Sequence, residues 1–525
     1  MTIPDTFNAA DYFIDRHLRE GRGSKVAIEC GDERVTYAEL AERVSRAGSA
    51  LRARLDVRTE ERVVLLMPDG PAFLDAFFGA IKVGAVPVPV NTLWTSADVE
   101  YVLNDSRARV AVVGEGLLHL ITGIPPERRP RLRHIVVAGG EARTAEGQVG
   151  FDDLLADGEP SFDAEPTSRD DAAFWLYSSG STGAPKGCVH LQHDMLVCTR
   201  LYAENVLGMS EQDRCFSVAK LFFAYGLGNG GYCPLGVGAT TILWPGAPTA
   251  ANVFAVIEKH RPTLLFSVPT NYGMLLAQHR EEGPDFDLSS VRQGVSAGEA
   301  LPPVLFERFR QRFGVEILDG IGSTEVLHIF VSNRAGRVRP GSSGLLVEGY
   351  EARIVDDEGQ PVPRGEVGNL LIKGDSTCAF YWNQHEKTKA TIEGYWIRTG
   401  DKYHQDEDGY FWYAGRSDDM LKVGGIWVSP VEVENTLLEH PAVKECAVAG
   451  HPDHDRLVKP AAYVVLRPGI EGSPELAIEL QQWVRSRLAE YKRPRWVRFV
   501  SELPKTATGK TQRFKLRQHP PDPAH

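Results

Sequence analysis

Short apolar runs alternating with helix-spaced segments limit this chain to few architectures. Across Thr36–Leu55, Leu40, Val44, Ala47, Leu51 and Leu55 recur at three or four residues, and Thr36 with Glu39 makes a capping box at the start. Val63–Met67 reads as a buried strand and Ala72–Val83 as an apolar helix ended by Gly84. Val86–Val90, with its two prolines, reads as a strand near a sheet edge. Val110–Val113 and His134–Ala138 are further β-branched runs, whereas Glu141–Asp171 is acidic, weakly patterned and reads as a surface excursion. Such alternation predicts α/β layers on mainly parallel sheets. A second series follows: a strand over Ala172–Tyr177, a helix over His190–Leu207, and strands at Cys215–Val218, Thr240–Leu243, Thr263–Val268, Val291–Ser296 and Glu316–Asp319. Gly344–Tyr413 changes to short strands and turns, a β-rich subdomain. The remainder alternates helix and strand as an α+β module of about 100 residues, ending in a Pro-rich tail at His519–His525.

A chain of 525 residues is too long for one core and calls for at least two domains. Hydrophobic content of 42% and charged content of 24% are those of a globular chain. The most apolar region, Phe73–Val90, is broken by Asp75, Lys82, Pro87 and Pro89, so no membrane span is expected; Met1–Arg19 lacks a signal-peptide core. Seven cysteines with no C-x-x-C pair fit a cytoplasmic location rather than a disulfide framework or zinc ribbon. A net charge of −12 argues against nucleic-acid binding. Tyr491–Arg517 is nevertheless rich in Lys and Arg, with Glu502 its only acid.

Tyr177–Gly187 reads Y-S-S-G-S-T-G-A-P-K-G. A strand that breaks into Gly, Ser and Thr offers backbone N–H groups and hydroxyls to a phosphate, and Lys186 adds a point charge. Alone, such a cluster is more often a linker, and it is not a Walker loop, because Gly187 follows Lys186. Four further motifs follow in order: G-S-T-E at 322–325, R-T-G-D at 398–401, G-R-S-D-D-M-L-K-V-G-G at 415–425 and P-K-T-A-T-G-K at 504–510. Together the five resemble the adenylate-forming superfamily of acyl-CoA synthetases, luciferases and peptide-synthetase adenylation domains. K-L-F-F-A-Y-G-L-G-N and S-A-G-E-A-L-P look most like benzoate–CoA ligases and their aryl-acid relatives.

The resemblance implies a large N-terminal domain over 1–417, with two α/β sheet subdomains and a β-rich one, and a small mobile α+β domain over 418–525, hinged at Asp418. It implies ATP, Mg²⁺ and coenzyme A as reaction partners, with a carboxylate attacking the α-phosphorus and CoA then displacing AMP. Ser178, Ser179, Gly180, Ser181, Thr182, Gly183 and Lys186 would hold the β- and γ-phosphates. Thr324 would bond a phosphate oxygen, and Glu325 would hold Mg²⁺. Asp401 and Arg416 would hold the ribose; Gly298, Glu299 and Ala300, with Asp319, Gly320 and Ile321, would face the adenine. Ile321 stands where many relatives carry a stacking tyrosine. Lys510 would contact both the carboxylate and the α-phosphate, and Gly424 with Gly425 would line the CoA passage.

The acyl pocket would be lined by Ala224, Tyr225, Ala297, Gly322, His328 and Ile329, with Lys510 at the carboxylate. Tyr225 suits a flat ring, and His328 with Ile329 would cap a short pocket. The acid is then small and aromatic, benzoate first. A substituted benzoate, another small cyclic acid, delivery to a carrier protein and a homodimer stay open. His451-Pro-Asp-His454-Asp resembles a metal cluster only superficially. Cys188 has no visible His–Asp partnership to make it a nucleophile.

Overall fold

The computed structural model describes residues 2–140, 147–178, 185–280, 284–417, 419–423, 426–453, 457–505 and 511–518. Two sheets form the body of the large N-terminal domain. The first is parallel throughout, in the order Val86–Pro89, Arg62–Leu66, Val110–Gly114, His134–Ala138, Gln148–Gly150. The proline-bearing strand lies at its edge, where a missing N–H donor costs no ladder bond on the open side. Helix Tyr37–Ala53 starts at the capping box and buries Leu40, Val44, Ala47 and Leu51. It packs on helix Pro71–Lys82 closely enough that a Cβ at Gly79 would stand 2.8 Å from that of Ala47.

The second sheet has nine strands, in the order Leu345–Leu346, Ile329–Ser332, Ile317–Gly322, Gln293–Ser296, Leu264–Ser267, Arg214–Ser217, Thr240–Leu243, Val26–Cys30, Glu33–Thr36. Its centre is parallel and both flanks turn antiparallel. The first hairpin of the chain, Val26–Cys30 with Glu33–Thr36, thus completes the second sheet, beside Thr240–Leu243.

Two expectations need correction. The excursion over Glu141–Asp171 contains the edge strand Gln148–Gly150 and helix Phe151–Asp157, with Phe151 and Leu154 buried. A three-residue strand is too short to show a period. The helix expected over His190–Leu207 begins only at Asp194, because Lys186–Leu191 returns as a strand antiparallel to Ala172–Ser178. A π-helical turn, Thr199–Glu204, completes that segment. Phe380–Tyr381 pairs with the returning strand to make a third, three-stranded sheet. Alternate residues of Ala172–Ser178 serve two cores: Phe174 and Leu176 join the main core, and Trp175 joins that of the first sheet.

The β-rich subdomain is a five-stranded sheet built from Glu351–Val355, Gly368–Lys373, Ile392–Glu393, Trp396–Gln405 and Phe411–Arg416. The small C-terminal domain packs helices Pro430–Leu438 and Pro474–Arg485 on the sheet Val443–Pro452, Val458–Leu466, Trp496–Phe499. No helix among the described residues is long and apolar enough to cross a membrane.

Candidate functional site

Parallel strands Arg214–Ser217, Leu264–Ser267, Gln293–Ser296 and Ile317–Gly322 end at one sheet edge, and the loops beyond their carboxyl ends carry Ala224, Tyr225, Ala297–Ala300, Thr324, Glu325 and His328. Strands Ala172–Ser178 and Lys186–Leu191 flank the Gly-rich motif, with Ser178 opposite Lys186. Helix Ser96–Ser106 grips both of its arms. Tyr177 donates its hydroxyl to Asp105 Oδ2 at 2.6 Å, and Tyr101 donates to the Pro185 carbonyl at 3.2 Å. Lys186 reaches 3.8 Å from Glu325 Oε1, both side chains being about four-fifths covered.

The turn that carries Thr324 and Glu325 is held from three sides. His190 joins the Thr324 carbonyl to Asp194 Oδ2, at 2.8 Å each. Cys378 donates its N–H to the Glu325 carbonyl at 2.7 Å, and Ser376 its hydroxyl to the Val326 carbonyl at 2.8 Å. Leu327, fully buried, has φ of 69°, a left-handed conformation that costs an L side chain energy and that the surroundings must impose.

Asp319 is 4% exposed; its Oδ2 accepts from the Leu301 N–H at 3.2 Å, and Oδ1 has no partner among the described residues. Burial pushes this carboxyl up to about 8. Gly320 and Ile321 pair with Ser332 and Val331 in the neighbouring antiparallel strand. Gly298 takes a φ of 92° just beyond Ala297, and Glu299 Oε2 accepts from the Thr270 hydroxyl at 3.3 Å. Asp401 stands directly opposite Arg416, which donates to Asp401 Oδ1 at 3.3 Å and to the Thr399 carbonyl at 3.0 Å. Any side chain at Gly400 would meet that guanidinium, at 2.8 Å from its Cβ.

Tyr225 lies in a single helical turn, Ala224–Leu227, and its one hydroxyl proton is shared between the Ser267 and Val295 carbonyls, 3.1 Å each. The ring is thereby fixed to the ends of two strands. His328 is 2% exposed, and its ring lies 4.9 Å from Tyr202, 6.2 Å from Tyr232 and 6.3 Å from Tyr225. Neither ring nitrogen has a partner among the described residues, and burial drives the imidazole down to about 3, leaving it neutral. Two glycines make its place: a Cβ at Gly228 would stand 2.2 Å from the ring, and one at Gly322 2.6 Å from the His328 carbonyl. Ile329, opposite Gly322, and Ala297 are buried in the same core. Ser179, Gly180, Ser181, Thr182, Gly183, Asp418, Gly424, Gly425, His454 and Lys510 lie outside the described residues.

The profile of the AMP-binding enzyme family matches residues 15–382, and that of the AMP-binding enzyme C-terminal domain matches 432–510. The chain belongs to the AMP-binding enzyme family. It is 51% identical to the benzoate–CoA ligase of Thauera aromatica, across 98% of this chain and 97% of that protein. The 4-hydroxybenzoate–CoA/benzoate–CoA ligase of Rhodopseudomonas palustris is 44% identical, across 98% and 94%. Among solved structures, a benzoate CoA ligase from Burkholderia xenovorans LB400 gives a TM-score of 0.89 at 47% identity, covering 97% of this chain and 100% of that one. An anthranilate CoA ligase in complex with anthranoyl-AMP gives 0.93 at 46%, covering 98% of both.

In this AMP-binding enzyme the supporting residues escaped sequence reading. Tyr101 and Asp105 share a helix face, but nothing in their spacing names the loop they hold. Tyr381 and His190 carry no motif of their own, and Gly228 reads as one glycine among several.

Proposed function

We infer that the protein is an ATP-dependent aryl-acid–CoA ligase whose preferred acid is benzoate. Family membership supports the AMP-forming chemistry. The observation that carries the choice of acid is the aromatic cluster at neutral His328, which lies against Gly228 with the fixed ring of Tyr225 6.3 Å away. A pocket lined by these rings would suit a flat apolar ring and would be too short for a long aliphatic chain. A substituted benzoate is the second reading, favoured by the two His328 nitrogens without a partner among the described residues, one of which a ring hydroxyl or amino group would satisfy.

The acid arrives ionised, so no general base is needed. Its oxygen forms a bond to the α-phosphorus as the bond to pyrophosphate breaks. The CoA thiolate then attacks the acyl carbon, and AMP leaves with the electron pair. Lys186 and the loop from Ser178 would grip the departing pyrophosphate. Thr324 would bond a phosphate oxygen, Asp401 with Arg416 the ribose, and Gly298–Ala300 with Asp319–Ile321 the adenine. Lys510 would bridge the carboxylate and the α-phosphate, easing the meeting of two anions. Glu325 is a lone carboxylate beside Lys186, and the described residues hold no cluster of three metal-ligating side chains. That suits Mg²⁺, which takes one or two carboxylates plus phosphate oxygens and, when bound, neutralises phosphate charge.

The domain boundary is proposed between 417 and 418, with Asp418 as the hinge of a swing that brings Gly424-Gly425 to the CoA passage. Ion pairing supports it. Arg416 ties back to Asp401, whereas Asp419 accepts from Arg517 at 3.0 Å and lies 3.5 Å from Arg513, both in helix Arg513–Arg517.

A panel of carboxylic acids, assayed with ATP, Mg²⁺ and CoA for thioester formation, tests this function. Benzoate should lead by kcat/KM over acetate and palmitate. Faster turnover of either would overturn the aryl reading, and adenylation without CoA thioester would point to a carrier protein as acceptor.

A further inference from the structure

Tyr381 stands between the two charged side chains that the phosphates and the metal would claim, although it lies 195 residues from Lys186. Its hydroxyl donates to Glu325 Oε1 at 2.7 Å. The Lys186 ammonium sits 4.3 Å over the centre of its ring and 3.4 Å from its hydroxyl. Direct contact between Lys186 and Glu325 is longer, at 3.8 Å. The ring is itself fixed. Tyr381 is 2% exposed, its N–H donates to Thr388 Oγ1 at 3.1 Å, and its strand pairs with the one that Lys186 begins. The next residue, Trp382, donates its N–H to the Gly187 carbonyl and its indole N–H to the Asp105 carbonyl, 2.8 Å each.

Two opposite charges on flexible stems would otherwise close on each other as an ordinary ion pair. A loaded site needs them apart, the ammonium on phosphate and the carboxylate on the cation. A neutral phenol can hold the carboxylate without competing for phosphate, and its ring face can hold the ammonium without neutralising it. Fixing both before the ligand arrives spares the cost of ordering them on binding. When Lys186 turns to the phosphates, the hydroxyl still holds Glu325.

We infer that Tyr381 is a positioning residue for the metal–nucleotide: its hydroxyl orients Glu325 toward Mg²⁺, and its ring orients Lys186 toward the β- and γ-phosphates. The inference rests on the function proposed above.

Calorimetric titration of the full-length protein with ATP and Mg²⁺, and separately with ATP in EDTA, tests it without turnover. Tyr381→Phe keeps the ring and removes only the hydroxyl. It is expected to weaken Mg·ATP binding about tenfold, leave metal-free ATP within about twofold, and raise by a similar factor the Mg²⁺ needed for half-maximal ATP–pyrophosphate exchange. In a Glu325→Ala background the same change should cost less than about twofold, its partner being gone. Tyr381→Leu, which removes the ring, should weaken metal-free ATP as well. Equal losses with and without Mg²⁺, or additive losses in the double variant, would mean a packing defect and overturn the assignment. Wild-type protein that exchanges no pyrophosphate with any aromatic acid would refute the proposed function instead. An active wild type whose phenyl variant binds Mg·ATP normally would refute only the role of Tyr381.

Discussion

His328 has no charge to offer an acid at physiological pH, so in the proposed pocket it would act by volume and by hydrogen bonding from a neutral ring. His328→Ala should open the end of the pocket, raising kcat/KM for para-substituted benzoates relative to benzoate at least about tenfold. An unchanged acid profile would show that the imidazole does not cap the pocket. A second histidine reports on stability. His17 is buried, donates from Nε2 to the Leu235 carbonyl at 2.6 Å and accepts at Nδ1 from Arg22 at 2.8 Å. Burial, aided by nearby Arg16, holds it down at about 4 from an ordinary 6.5. Below 6.5 the unfolded chain binds the proton and the folded one does not, so stability falls as pH drops toward 4. Between pH 7 and pH 5 that amounts to about 2 kcal/mol. Denaturant unfolding at the two pH values should show a drop in wild type that exceeds the one in His17→Gln by this amount. Equal drops would remove His17 as the cause. Lys186, Glu325, Asp401 and Arg416 were legible in the sequence because their motifs sit in unbroken, ordered strings. Tyr381 and His190 were not, because their partners are brought near only by strand pairing and a distant turn.

At the level of elements, the sequence showed strands and helices wherever the apolar period ran long enough. Helix Tyr37–Ala53 and the five parallel strands from Arg214–Ser217 to Ile317–Gly322 match expectation closely. The hairpin built on the Gly-rich loop did not show itself: Lys186–Leu191 carries its apolar residues in a mixed pattern that also fits the start of a helix. The crossing of Val26–Thr36 into the second sheet depends on pairing with Thr240–Leu243, more than 200 residues on, which no local pattern can announce. Two substitutions test how elements position the site. Gly322→Ala would push a Cβ into the His328 carbonyl and part the antiparallel strands there, at an overpacking cost of about 1–3 kcal/mol. Its KM for the acid should rise about tenfold, with the KM for ATP changing far less. An unchanged acid KM would show that the strand can yield. Asp105→Ala removes the acceptor for Tyr177 and should raise the KM for ATP about threefold to tenfold with the acid KM unaltered. A rise in both would mean that the helix supports the whole site and not the loop alone.

On the scale of the whole molecule, two ion-pair systems lie on either side of residue 418, the proposed domain boundary. Asp401–Arg416 closes the β-rich sheet, and Asp419 with Arg513, Arg517 and Glu434 knits the small domain. A turn about 418 therefore breaks neither. If that turn alternates two poses, Lys510→Ala should suppress adenylation by about a hundredfold or more while sparing thioester formation from supplied acyl-adenylate. Equal loss of both half-reactions, measured in single turnover, would refute the alternation. Helix Ser96–Ser106 carries a different consequence. It is a crossover of the first sheet, yet its Tyr101 and Asp105 fasten the two arms of a loop that belongs to another sheet. The proposed phosphate grip is therefore not a cassette that can be lifted out by its motif. A chimera that grafts residues 172–191 onto a foreign scaffold would carry every letter of the signature and leave behind the helix that keeps its arms in place.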